Sequence, residues 1–170
     1  MSDEQAQEAT ALADPVLSPE ASPKALRQAA RKKAMDLLAR REHSVAELQQ
    51  KLVTKGHDAD IVTEVLGQLE QEGLLSDDRF TEAFVRYRRK NGYGPHRIQS
   101  ELRQRGVSEK MQAAYLEVGD PQWFEQAAQV RQKRFGGGLP EDFKERAKQA
   151  RFLQYRGFTG EQIREVMDDV

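Results

Sequence analysis

The sequence predicts an all-α protein: three tandem three-helix repeats forming an elongated, curved body. Three observations predict it. First, a short pattern recurs: "LQQKLVTKG" ending at Gly56, "IQSELRQRG" ending at Gly106 and "QARFLQYRG" ending at Gly157. Each closes on a basic residue and a glycine, with a hydrophobic residue four before the glycine, and the glycines lie 50 and 51 residues apart. Self-similarity at a fixed period is the mark of a repeat architecture. Second, the apolar residues recur at helical spacing, and no period-2 strand run is present. Third, 38% of the 170 residues are hydrophobic and 32% are charged. So thin a core favours a row of small units that share their apolar faces over one deep globule.

The elements follow in order. Residues 1–23 hold five acids, three prolines and no base. They read as a disordered acidic tail. The first repeat, 24–76, has helices expected at 25–41, 45–55 and 60–72. "SVAE", Ser44 to Glu47, is a capping box at the start of the second of these. The second repeat, 77–119, has helices expected at 77–91, 96–105 and 109–118. Asp77 and Asp78 suit a helix start, Pro95 a first helical position, where its missing N–H costs nothing, and Ser108 an N-cap. Phe80, Phe84 and Tyr87, at i, i+4 and i+7, read as core. The third repeat, 120–170, has helices expected at 121–135, 141–156 and 161–168. Pro121 and Pro140 are assigned first helical positions, and Thr159 an N-cap. Trp123 and Phe124 are expected to pack between units, and "FGGGLPED" to be a flexible connector. Gly56, Gly106 and Gly157 suit the left-handed position just past a helix end. Lys55, Arg105 and Arg156 complement the carbonyl end of the helix dipole. Leu52, Leu102 and Leu153 should occupy equivalent buried positions.

Several function classes are excluded. There is no cysteine, hence no disulfide framework, thiolate metal site or cysteine nucleophile. That fits a reducing cytoplasm. His43, His57 and His96 have no metal-ligand spacing and no hydrolase context. The glycine-rich "FGGGLPED" lacks the following Lys-Ser/Thr of a phosphate-binding loop, and no strand precedes it. Neither a membrane-spanning apolar run nor a secretory signal is present. No enzyme, metal or cofactor is expected.

Charge carries the functional signal. The protein is net −1, yet Arg86–Arg105 holds seven Lys/Arg against one acid, Glu101. Arg79, Arg86 and Lys90 share a helix face roughly opposite Phe80 and Phe84, with Arg88 and Arg89 beside them. Arg97 and Arg103 follow on the next helix. Nothing in a helical core requires Arg86, Arg89, Lys90, Arg97 and Arg103 together. The third repeat continues the habit with Arg131, Arg134, Lys144, Lys148 and Arg151. From Arg131 to Arg156 there are eight bases against three acids. A solvated face normally mixes signs, so a continuous stripe that attracts phosphate backbones is expected. Tyr87 and Tyr93 lie near it as candidate base-stacking rings.

The run "GLLSDDRFTEAFVRYRRKNGYGPHRIQSELRQRGV" resembles the RecX family, small bacterial regulators of the RecA recombinase. "SVAELQQKLVTKG" and the C-terminal "RFLQYRGFTGEQI" are similar to it as well, so the likeness covers roughly 27–170. Two positions depart: Arg105 stands where lysine is common before the glycine, and Gly160 interrupts the start of the last helix. The resemblance implies three tandem three-helix repeats and a non-enzymatic, monomeric, cytoplasmic regulator. It implies binding to the RecA–DNA filament; the expected partners are that filament, single-stranded DNA and further duplex DNA, with the basic residues named above facing DNA phosphates or an acidic filament surface. It also implies less filament extension, ATP hydrolysis, strand exchange and stimulated repressor cleavage by RecA, which places the chain in DNA repair and the SOS response. Two other classes stay open on the residues alone. One is a sequence-specific helix-turn-helix repressor, disfavoured because three non-identical repeats supply no two-fold symmetry. The other is a helical-repeat adaptor that binds only protein.

Overall fold

The computed structural model describes residues 20–168, so most of the stretch read as an acidic tail lies outside the described residues. Within them the chain is helical throughout. Its elements are α1 (Pro23–Leu38), α2 (Val45–Thr54), α3 (Ala59–Gln71), α4 (Asp77–Lys90), α5 (Pro95–Gln104), α6 (Glu109–Ala113), α7 (Gln122–Phe135), α8 (Phe143–Arg156) and α9 (Gly160–Met167).

Local chemistry sets most of these bounds. Ser44, Asp58, Ser76, Ser108, Asp142 and Thr159 each cap a helix by accepting a backbone N–H inside its first turn. Ser44 with Glu47, and Thr159 with Gln162, form complete capping boxes. Gly160 does not interrupt α9 but is its first residue, because Thr159 caps it. Gly56, Gly106 and Gly157 all have positive φ, at 96°, 75° and 99°.

Four expectations need correction. α1 begins at Pro23, inside the stretch assigned to the tail, because Ser22 caps it. Pro140 lies outside α8, whose cap is Asp142. Pro121 likewise stands one residue before α7. The sixth helix ends at Ala113 rather than 118. Beyond it the connecting segment is held by the third repeat: Glu117 O accepts the Trp123 indole N–H at 2.9 Å and Val118 O accepts Gln162 Nε2 at 3.0 Å.

The core has two parts. The first repeat closes on itself around Leu48, Leu52, Val62, Leu66 and Leu69, with α1 packed on α3. Repeats two and three share one core, in which Phe80, Ile98 and Leu102 join Trp123, Leu153 and Phe158. The first repeat thus does bury its apolar face by itself, against expectation, since α1 brings two small residues, Ala30 and Ala34, close against its neighbours. Leu52, Leu102 and Leu153 are all fully buried, each such side chain contributing about 1.5–3 kcal/mol. Trp123 lies in the shared core. Tyr87 does not: it is 63% exposed.

The second helices of the repeats meet end to end. At the end of α8, Arg156 O accepts from Gly94 N–H at 2.8 Å and Gly157 O accepts from His96 N–H at 2.9 Å. These are orphan donors at the start of α5, which has no side-chain cap of its own. At the end of α5, Arg105 O accepts from the Ser44 hydroxyl at 2.7 Å, at the start of α2. A Cβ on Gly157 would sit 2.3 Å from Arg97 Cβ, and one on Gly106 would sit 2.5 Å from Ala46 Cβ. Gly106 and Gly157 are therefore required twice, by φ and by the close approach of a neighbouring repeat. Gly56, at the free end of the row, meets nothing within 4 Å and is required by φ alone.

The other end is closed. α2 and α5 have 10 residues each and α8 has 14. Arg97 is the third residue of α5, whereas its counterpart Lys148 is the sixth of α8. About one extra turn of α8 overhangs the place where a further repeat would dock. Arg146 in that turn is tied to Met167 O.

Candidate nucleic-acid interface

Sequence reasoning singled out twelve basic side chains, and the structure divides them into three sets. The first set is committed to the fold. Arg131 is 7% exposed; its guanidinium donates to Gln149 Oε1 at 3.0 Å, Gly138 O at 3.2 Å and Gly136 O at 3.3 Å. It closes the glycine-rich turn onto α8 and is withdrawn from any surface stripe. Arg89 donates to Gln126 Oε1 and Gln122 Oε1, both at 2.9 Å, and lies 4.5 Å over the Trp123 ring. Arg88 donates to both oxygens of Glu101, with Nε–Oε2 at 2.7 Å. Arg97 reaches Glu101 Oε1 and Tyr155 O, each at 3.3 Å.

These last two arginines enclose Tyr93. Its ring carries the guanidiniums of Arg88 at 4.0 Å, Arg97 at 4.6 Å and Arg156 at 4.9 Å. Burial alone would raise the Glu101 carboxyl, but hydrogen bonds from Arg88 and Arg97 and their charges outweigh it and hold the group below the usual carboxylate range. So Tyr93, read as a stacking candidate, has its faces occupied by arginine. Arg89 and Arg97, read as charge with no core role, tie repeat two to repeat three.

The second set is paired at the surface. Arg79 Nε meets Glu42 Oε1 at 3.0 Å, and Arg86 meets Glu82 Oε1 at 3.2 Å. Such exposed pairs are worth little and exchange readily with another anion.

The third set is open: Lys90, Arg103, Arg134, Lys144, Lys148 and Arg151 are exposed. Lys148 makes one contact with Glu145 at the 4.0 Å limit. Lys144, Lys148 and Arg151 recur at i, i+4 and i+7 on α8, opposite the buried Gln149 and Leu153. Tyr155 extends the same line at i+11 and is 73% exposed. At 100° per residue the four span a wedge of about 60°. An open groove of about 490 Å³, lined by Arg151, Gln154 and His96, leads from this face to the start of α5. His96, Ser100 and Arg103, exposed at i, i+4 and i+7, continue along α5. The corresponding face of α2, with Ala46, Gln50, Val53 and Thr54, carries no charge. Positive charge therefore rises along the row of second helices from repeat one to repeat three.

Sequence reasoning missed Tyr155, and it gave Arg105 and Arg156 a helix-dipole role without their aromatic contacts. Arg105 lies 4.7 Å over the Phe84 ring and donates to Glu101 O. Among the described residues no group of three or more His, Asp or Glu side chains could hold a metal ion. No helix there is long and apolar enough to cross a membrane.

Fold and surface define a class: a helical-repeat protein whose repeats are joined through their second helices and whose outer face is basic. Three family models match the chain in order: the first three-helix domain of RecX at residues 30–69, the second at 76–116 and the third at 120–167. The chain belongs to the RecX family. It is 51% identical to the regulatory protein RecX of Halorhodospira halophila over 137 residues, 81% of this chain and 85% of that one. It is 46% identical to the regulatory protein RecX of Ectopseudomonas mendocina over 135 residues, 79% and 90% of the two chains. The fold matches the crystal structure of RecX from Lactobacillus salivarius with a TM-score of 0.69 at 18% identity, over 84% of this chain and 95% of that one. A second crystal structure of regulatory protein RecX matches with a TM-score of 0.71 at 22% identity, over 84% and 72%.

Proposed function

We propose that this protein binds the RecA–DNA filament and restrains RecA, reducing filament extension, ATP hydrolysis, strand exchange and stimulated repressor cleavage. The observation that carries the reading is the one-signed outer face of α8 and α5 on a chain of the RecX family. A row of repeats joined helix end to helix end presents its cations in series, which suits a partner that is itself periodic and polyanionic. On this reading the protein acts as a cytoplasmic monomer without cofactor; the longer α8 at the end of the row supports the monomeric state. It works by occupancy rather than by chemistry.

The binding residues proposed are Lys90, Arg103, Arg134, Lys144, Lys148 and Arg151, with Arg79 and Arg86 recruited as their exposed carboxylate partners yield to phosphate. Arg88, Arg89 and Arg97 contribute to the field from behind this face. The deciding experiment is DNA-dependent ATP hydrolysis by preformed RecA filaments as this protein is added. Hydrolysis should fall with increasing protein, and less steeply at higher salt. Unchanged hydrolysis at saturating protein would refute the reading.

A further inference from the structure

The basic face of α8 ends in an aromatic ring. Lys144, Lys148, Arg151 and Tyr155 lie in one line about 16 Å long, from 11 residues at ~1.5 Å each. Among the large hydrophobic side chains exposed on the protein, Tyr155 is one of the most open, at 73%. Yet its ring is not loosely held. The Arg97 guanidinium lies 5.0 Å from the ring centroid and donates to the Tyr155 carbonyl at 3.3 Å. Arg97 is in turn held by Glu101. One side of the ring is thus anchored through a chain of charged contacts while most of its surface faces water. At that exposure the ring gains little from burial on folding. Its neighbours in the line are cationic, which suits a partner that carries negative charge beside an apolar face.

We infer that Tyr155 is a stacking platform for an unpaired base and that Lys144, Lys148 and Arg151 track the phosphates of the same strand, so that this face takes single-stranded rather than duplex DNA. A base in a duplex is stacked on both sides and offers no face to the ring, whereas an unpaired base offers one whatever its sequence. The cations alone would not discriminate, because both forms carry phosphates. The pre-set ring lowers the ordering cost of the contact. This inference rests on the reading of the α8 face as a polyanion surface and assigns the form of nucleic acid that it takes.

The test is anisotropy of labelled oligothymidine and of a labelled duplex, with melting measured for every variant. Tyr155→Ala should weaken oligothymidine binding by about 5- to 150-fold, the effect of one stacked base, and leave duplex binding unchanged. Tyr155→Trp should keep the affinity, and its emission should be quenched when oligothymidine binds. Alanine at Lys144, Lys148 or Arg151 should each flatten the salt dependence for the single strand by about 0.7 in slope. Equal weakening of both DNA forms by Tyr155→Ala, or no weakening of either, overturns the inference. So does a parent protein that inhibits RecA filaments but does not bind bare oligothymidine, and that result leaves the RecA reading standing. Tyr155-dependent binding of oligothymidine with undiminished RecA ATP hydrolysis would do the reverse.

Discussion

Gly94 donates its backbone N–H to the carbonyl of Arg156 across 2.8 Å, and this bond joins the start of one repeat's second helix to the end of the next one's. The positive end of the α5 dipole faces the negative end of α8. Gly94 is itself so close to Gly157 that a Cβ on it would lie 2.5 Å from the Gly157 carbonyl carbon. The junction is backbone against backbone, and side chains at either glycine would hold the repeats apart.

The three repeat glycines should therefore respond unequally to alanine. Gly56→Ala should lower stability by about 1–2 kcal/mol, the cost of a left-handed residue. Gly157→Ala should cost clearly more, because its Cβ would also meet Arg97 Cβ at 2.3 Å and Arg97 N at 2.6 Å. Urea titration of both variants measures the difference. Equal losses would mean that the junction contributes nothing.

Leu102 sits fully buried in the core shared by repeats two and three. Leu102→Ala should cost about 2–5 kcal/mol. A change within about 0.5 kcal/mol, the scale of surface substitutions, would show that the repeat register is misassigned.

The arginines should divide by location. Arg97→Ala leaves Glu101 with one fewer donor and should lower stability by about 1–3 kcal/mol. Arg103→Ala and Arg151→Ala, on exposed faces, should stay within about 0.5 kcal/mol while weakening polyanion binding. Thermal melting beside a salt titration separates the sets, and a destabilised Arg151→Ala protein would contradict the division.

Acid should loosen the first repeat in two stages. Burial lowers the His43 imidazole, more than its bond to the Arg41 carbonyl raises it, and the Arg41 and Lys51 charges lower it further. Burial alone would raise Glu47, but the hydrogen bond and charge of Arg41 and the charge of Lys51 bring it below its ordinary range. Both values are depressed, so both contributions are present above the unfolded values and lost as pH falls through the folded ones. The His43 stage begins below about pH 6.5 and the Glu47 stage below about pH 4.3. His43→Gln should abolish the upper stage in a plot of melting temperature against pH. An unchanged profile in that variant would count against the assignment.

The glycine spacing and the capping boxes are local, so the repeat pattern and most helix bounds were legible in sequence. The segment after Ala113 was misjudged as helix because it is held by the third repeat, through Trp123 and through Gln162, 44 residues away from Val118, which no local signal announces. The basic stretch 86–105 was half legible. Its charge is plain, but whether an arginine meets solvent or a ring depends on what tertiary packing sets above it, as Arg88 over Tyr93 and Arg89 over Trp123 show. Tyr155 was legible in principle. Its spacing from Lys144, Lys148 and Arg151 is in the sequence, masked because "QARFLQYRG" was read chiefly for Leu153 and Gly157.

The end-to-end seating of the second helices runs against the direction of synthesis. The Ser44 hydroxyl at the start of α2 finds its acceptor, Arg105 O, 61 residues later, and the N–H groups at the start of α5 find theirs at Arg156 and Gly157. On the ribosome the middle repeat emerges before the surface that finishes it. A nascent chain released before Gly157 has a middle repeat whose second helix begins with bare N–H groups, however well its own leucines pack. The middle repeat is therefore finished only once the end of α8 has been made.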